Sequence, residues 1–292
     1  MKQLHGLAVA AFSLAAVSVG PALADPFAFS TGTPDGRIAT GSRPSSTGKV
    51  EIESADDFIL GTATRLNSAT FTGLLTGGAT VGNITGVTVE IYRVFPFDST
   101  NPPSGNVPTR VNSPSDVAFI SRDSTAGELS FSTNSLNASF TAANSVLNGI
   151  NKIPNQKTGG EGSVSGAEVE FDVTFATPLT LPADHYFFIP QVQLANGDFL
   201  WLSTAKPIVA PGTAFTGDLQ SWVRNGPLDP DWLRIGTDIV GGSNGAAAPT
   251  FNAAFSLNGI TVPEPASALL LGAGLLGLAL RRRRCAARTP AA

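Results

Sequence analysis

Apolar and polar residues alternate along much of the chain between residues 25 and 261. In residues 168–175, Val169, Phe171, Val173 and Phe175 fall on one side, with Glu170, Asp172 and Thr174 on the other. A period of two marks a half-buried strand. Residues 49–53 alternate in the same way, and residues 86–94 set Val87, Val89 and Ile91 against Thr88, Glu90 and Tyr92. Weaker versions of the pattern predict strands at 57–60, 69–75, 117–121, 128–132, 185–194, 198–203, 221–224, 232–235 and 251–257. One apolar face and one wet face per strand is the habit of antiparallel sheets. Asn196-Gly197 lies between two of these runs and predicts a type I′ hairpin over residues 191–202. No amphipathic helix of twelve residues is evident in this body, and 31 glycines and 21 prolines break the whole chain at short intervals. The expected fold is all-β, an antiparallel β-sandwich or jelly roll in a single domain, with a domain break near 148–165 as the alternative. Three stretches read as long loops: the proline-rich 97–115, the polar 148–165 and the Gly-Ala-Pro spacer 241–249.

The two ends break the pattern. Lys2, the apolar run 7–19 and Ala22-Leu23-Ala24 form a secretory signal, so residues 1–24 are expected to be removed by signal peptidase. At the other end, residues 262–285 hold Val262-Pro263-Glu264-Pro265, fifteen uncharged residues and Arg281, Arg282, Arg283 and Arg284. A helix over 266–280 reaches roughly 22 Å against a hydrocarbon core of ~30 Å. It is short for a span, and arginine snorkelling helps it reach across. The basic tail 281–292 sets the orientation, with the body outside the cytoplasm. The expectation is a single transmembrane helix that anchors the exported body before processing.

Charge and chemistry narrow the function. The net charge of −4 conceals an acidic body: residues 25–265 carry 12 basic against 22 acidic side chains, a balance of −10. That excludes nucleic acid as a partner on electrostatic grounds. The one cysteine, Cys285, is in the tail, so the body must be held by packing without disulfides. His185 is the one histidine outside the signal, and a lone His at the start of a strand reads as a turn or rim residue. Gly241-Gly242-Ser243-Asn244-Gly245 matches a serine-hydrolase motif, yet no helix pattern and no His follow it. Asp56 and Asp57 point to opposite faces of a strand and so do not readily form one catalytic pair. Asp229 and Asp231 flank Pro230 and are weak calcium candidates; no other metal and no cofactor is expected. Trp201, Trp222 and Trp232 lie in the last third and are candidate sugar-binding rings, with a sandwich core as the competing role for at least two. Arg224 and Arg234 each follow a tryptophan by two residues, which allows an Arg-plus-Trp surface patch.

The tail resembles a PEP-CTERM sorting signal: Pro263-Glu264-Pro265, a short apolar helix and Arg281–Arg284 occur in order. The resemblance implies recognition by an exosortase in Gram-negative bacteria that make extracellular polysaccharide, followed by processing near Pro263-Glu264-Pro265. Similar tails are also catalogued as an ice-binding-protein C-terminal domain. The function expected is a non-enzymatic exported protein of the cell surface or biofilm matrix, associated with exopolysaccharide or secreted. A carboxylate-dependent polysaccharide-active enzyme is the alternative. Ice binding ranks last, because Thr62 with Thr64, and Thr85 with Thr88, do not extend into a ladder.

Overall fold

A computed structural model describes residues 24–105, 107–150, 157–205, 219–242, 245–263 and 274. Its strands are β1 (Pro26–Ser30), β2 (Pro34–Gly41), β3 (Ile52–Leu60), β4 (Thr64–Leu75), β5 (Ile84–Arg93), β6 (Ile120–Asp123), β7 (Leu129–Ala142) and β8 (Ser145–Val146). They continue with β9 (Val164–Leu181), β10 (Asp184–Leu194), β11 (Phe199–Thr204), β12 (Trp222–Asn225), β13 (Leu233–Arg234), β14 (Asn252–Ala253) and β15 (Phe255–Thr261). A nine-stranded sheet follows the order β1–β15–β4–β11–β2–β8, with β9 pairing both β4 and β7, and β14 pairing β11. A six-stranded sheet follows β13–β12–β3–β10–β5–β6. The body is therefore all-β, in two sheets. The narrower jelly-roll expectation is not confirmed by this strand order.

The largest apolar cluster joins the two sheets. Phe71, Phe171, Phe199 and Phe255 come from the larger sheet, and Phe58, Val89, Tyr186 and Phe188 from the smaller. Phe188 stacks on Phe255 at 5.0 Å and meets Trp201 edge-on at 6.0 Å. Large rings meeting across two sheets give a layer whose contact area replaces the missing disulfides. Contacts divide the chain into two units, and every core cluster lies within the unit Asp25–Val262. That segment therefore holds a complete core of its own. Its two ends are bound to each other: Thr261 N donates to Asp25 O at 2.8 Å, and β1 pairs with β15 from Pro26↔Ile260 to Ser30↔Ser256.

The predicted alternation holds on the larger sheet. In β9, Val169, Phe171, Val173 and Phe175 are buried while Asp172 and Thr174 are exposed. It fails on the smaller sheet, where both faces are covered. Val87, Val89 and Ile91 pack into the inter-sheet core, and Tyr92 on the opposite face is also buried, in a cluster with Phe187, Ile189, Trp222 and Trp232. The loop after β5 covers this outer face: Trp232 Nε1 donates to Ser115 O and Arg224 Nη1 to Asp116 O.

The hairpin at Asn196-Gly197 is not formed. β10 pairs with β3 and β5 in the smaller sheet, whereas β11 pairs with β2, β4 and β14 in the larger. The Asn-Gly turn is a corner between sheets. Gly197 has φ +69°, and a Cβ there would lie 2.0 Å from Thr76 O, so close backbone approach selects glycine. Asn196 is not in the left-handed region that a type I′ turn requires of both central residues. The pattern does not mark β2 and β8, which have no clear alternation, or β1, whose alternation spans only five residues.

Among the described residues no helix is long and apolar enough to cross a membrane. The expected signal helix, the helix over 266–280 apart from Gly274, and Glu264, Pro265 and Arg281–Arg284 lie outside the described residues. So do Ser243 and Asn244 of the hydrolase-like motif.

Candidate functional site

The outer face of the smaller sheet carries a buried cluster of charged groups. β12 and β13 form a short antiparallel pair with Trp222 opposite Arg234. Arg234 lies over the Trp222 ring at 5.9 Å, and Arg224 over the Trp232 ring at 4.4 Å. Arg234 thus stacks on the indole of β12 and Arg224 on the indole just before β13, neither on the one two residues before it. Cation–π contact of this kind strengthens when water is excluded. The arrangement is interior: Trp201, Trp222 and Trp232 are each 0–1% exposed. Trp201 Nε1 donates to Ala254 O, and Trp222 Nε1 is buried with no hydrogen-bond partner. The three rings are walls and core, not exposed stacking platforms, because covering large rings is the main apolar gain open to a cysteine-free body.

Arg224 is the hub of a charged cluster. Its Nε meets Glu53 Oε2, its Nη1 lies 2.7 Å from Asp229 Oδ1, and its Nη2 donates to the Tyr92 hydroxyl at 2.9 Å. That hydroxyl donates to Glu53 Oε1 at 2.8 Å, with Glu90 Oε2 at 3.4 Å. Burial first, and then the negative charge of Glu53, push the Glu90 carboxyl up to about 8. At neutral pH Glu90 therefore keeps its proton beside Glu53. Burial likewise raises Glu51, which accepts from Gln191 Nε2 at 3.0 Å. Two carboxyl groups sharing a proton resemble an acid–base pair. Here the oxygens of Glu53 are occupied by Arg224 and Tyr92, so the cluster can fasten β3, β5 and β12 together.

Asp229 and Asp231, the weak calcium candidates, are held by different partners. Asp229 is paired with Arg224, while Asp231 is 0% exposed and paired with Arg110, which also holds Asp116. Each carboxylate is neutralised by a different guanidinium, which leaves no concentrated negative charge for a hard cation. Among the described residues no group of three His, Cys, Asp or Glu could hold a metal ion. His185 is also not at a rim. It is 1% exposed on β10, between β3 and β5, with Nε2 at 2.6 Å from Asp57 Oδ2. Asp56, on the other face of β3, accepts from Ser221 Oγ and Ala253 N at 2.9 Å each. The two neighbouring aspartates serve separate networks, as strand geometry requires. Thr64 is buried, so it shares no exposed row with Thr62.

Beside this cluster lies a cavity of about 380 Å³, lined by Thr109, Gln220, Trp222, Arg234 and Thr250, with Val111 at its rim. Such a volume falls near the lower end of small-ligand pockets, roughly 300–1,000 Å³. Asp238 orients Arg234 through its Nε at 2.8 Å and its Nη2 at 2.6 Å. Gln220 Oε1 accepts from Thr237 Oγ1 at 3.0 Å, which leaves its amide hydrogens to donate elsewhere. The wall thus combines amide, guanidinium and hydroxyl groups on a rigid aromatic floor. None of its members except the two Trp–Arg neighbours could be read from spacing, since Thr109, Gln220 and Thr250 belong to three separate segments.

From the last residue of the last strand onward the chain carries a known sorting motif. Residues 261–284 match the PEP-CTERM protein-sorting motif. The tail is a PEP-CTERM sorting signal. It begins at Thr261, the final residue of β15, so the sorting signal starts where the folded body ends. The chain is accordingly an exported protein targeted by exosortase, with a route through the cell envelope to the surface or to secretion. No curated protein and no solved structure matches the chain.

Proposed function

We propose that the body is a non-enzymatic module of the cell surface or extracellular matrix that holds exopolysaccharide, with the cavity beside Trp222 as its sugar site. The observation that carries this reading is the pairing of a PEP-CTERM tail with a cavity lined by Gln220, Arg234, Thr109 and Thr250. Amide, guanidinium and hydroxyl groups suit the many hydroxyl and ring oxygens of a glycosyl unit. The unpartnered Trp222 Nε1 adds a donor that a bound acceptor can satisfy. The acidic body favours neutral sugars over strongly anionic ones.

The test is retention of residues 25–262 on the exopolysaccharide of the producing cell. Gln220→Ala with Thr109→Val removes two hydrogen-bonding groups at about 1 kcal/mol each, which predicts roughly 10- to 30-fold weaker retention. Failure of the unaltered body to bind any matrix polysaccharide removes the reading.

The second reading, a carboxylate-dependent polysaccharide-active enzyme, draws its support from the meeting of Glu53 and Glu90 at Tyr92. It ranks lower because neither carboxyl group is among the groups lining the cavity. Release of reducing ends from the polysaccharide, lost in Glu90→Gln, would reverse that order.

A further inference from the structure

The edges of the two sheets are unequally protected. β1 is five residues long and opens on Pro26; β6 is four residues and carries Arg122 and Asp123. β8 and β13 are two residues each, and β13 includes Arg234. Short length, proline and charge are the usual means by which an edge avoids pairing with another chain. β7 has none of them. It runs for fourteen residues, LSFSTNSLNASFTA, without one charged residue, proline or glycine.

Among the described residues β7 is bonded along one side to β9. Leu129–Ser135 follow an unbroken register against Phe175–Val169, and irregularities appear only beyond Ser135. Near the far end β2 comes close, with Ala143 N donating to Gly36 O. The free stretch is therefore the regular half, Leu129–Ser135, running into the exposed residues 134–139, where Leu136 is 41% exposed. Alternate N–H and C=O groups of an edge strand point away from its sheet and need a partner or water.

We infer that the β7 edge docks against the β7 edge of a second copy of this chain, strand to strand, across a two-fold axis. Charge selects this occupant. The body carries a balance of −10, so most contacts between copies bring acidic groups together. At β7 an uncharged strand meets itself, and a two-fold antiparallel pairing is self-complementary. One exposed carboxylate, Glu128, stands just before the edge, and the nearest acidic row, Glu168, Glu170 and Asp172 on β9, lies one strand back from it. With strands ~4.8 Å apart, the rows of two copies stand about three strand spacings apart, beyond the ~8 Å screening length of physiological salt. One strand pair falls well short of the ~1,200 Å² of a stable interface. The association is accordingly weak, strengthens as salt rises, and matters where the protein is concentrated, as on a surface or in a matrix. It does not depend on the sugar-binding reading.

The test is sedimentation equilibrium of residues 25–262 from about 10 μM to about 1 mM at low and high salt. The average mass should climb toward twice that of the monomer, more steeply in high salt. Ser132→Lys with Asn134→Lys, both at exposed positions, should hold the body monomeric with its unfolding midpoint unchanged. Ser132→Glu with Asn134→Glu should also be monomeric alone, with a lowered unfolding midpoint because the new carboxylates face Asp172 and Glu170 across the register, and an equimolar mixture of the Lys and Glu forms should restore association. A wild-type body that stays monomeric to about 1 mM overturns the inference. So does self-association that the lysines leave intact, or a mixture that fails to associate.

Discussion

Replacing Glu90 by glutamine isolates the proton that Glu90 holds beside Glu53. Burial and the charge of Glu53 raise the Glu90 carboxyl from 4.5 to about 8, so the folded protein holds this proton more tightly than the unfolded chain. Stability from the protonated form is complete below pH 4.5, falls as pH rises, and is gone above about 8. Each tenfold change in proton affinity is worth about 1.4 kcal/mol, giving an upper bound of about 5 kcal/mol. Glu90 is only half-buried, and water screens part of this, so on the order of 2–3 kcal/mol is expected. Glutamine keeps the shape and a donor but cannot ionise. Urea unfolding of residues 25–262 between pH 4.5 and 9 should show the wild type losing stability. Glu90→Gln should lose about 2–3 kcal/mol less, a midpoint difference of about 1 M urea at the alkaline end. A smaller slope should survive in the variant, because burial raises Glu51 in the same direction. Parallel curves for the two proteins across this range would refute the assignment of this proton to Glu90.

Three further outcomes follow from the same geometry. Arg224→Met strands the buried Glu53 carboxylate without its guanidinium and should cost about 3–5 kcal/mol at pH 7, measured by urea unfolding. Gly197→Ala drives a Cβ to 2.0 Å from Thr76 O at φ +69° and should cost about 2–4 kcal/mol, whereas an alanine at Gly48, where nothing lies within 4 Å, should cost less despite φ +76°. Replacing Arg281–Arg284 by alanine should leave the body folded, because its core and the Asp25–Thr261 closure lie elsewhere, but should abolish normal surface delivery by cell fractionation.

The candidate site was legible only in pieces. Arg224 and Arg234 stand out beside tryptophans, but their spacing does not say which ring each one meets or that the pairs are interior. The register of β12 against β13 decides that Arg234 lies over Trp222 and Arg224 over Trp232. Glu53 and Glu90 carried no signal, since each is one polar position in an alternating strand. They meet because β3 and β5 both flank β10. His185 read as a rim residue because its flanks, Asp184 and the preceding proline, look like a turn, and the placement of β10 between two strands buries it.

The sequence by itself determined what depends on near neighbours along the chain. Period-two alternation marked the strands, and Gly and Pro spacing excluded long helices from the body. The sorting signal was readable because its three parts are contiguous, and an enzyme that processes a tail must read it locally. Tertiary structure decided what depends on pairing. Alternation says that a strand has two faces but not what covers them. The inner face of the smaller sheet meets the larger sheet, and its outer face meets the loop after β5. The Asn-Gly turn is a hairpin or a corner depending on which sheet accepts the next strand. Thr76 O, more than a hundred residues away, selects the corner. Edge position is likewise a property of the whole sheet. Nothing within LSFSTNSLNASFTA says that one side of β7 lacks a paired strand among the described residues, and only the strand order shows it.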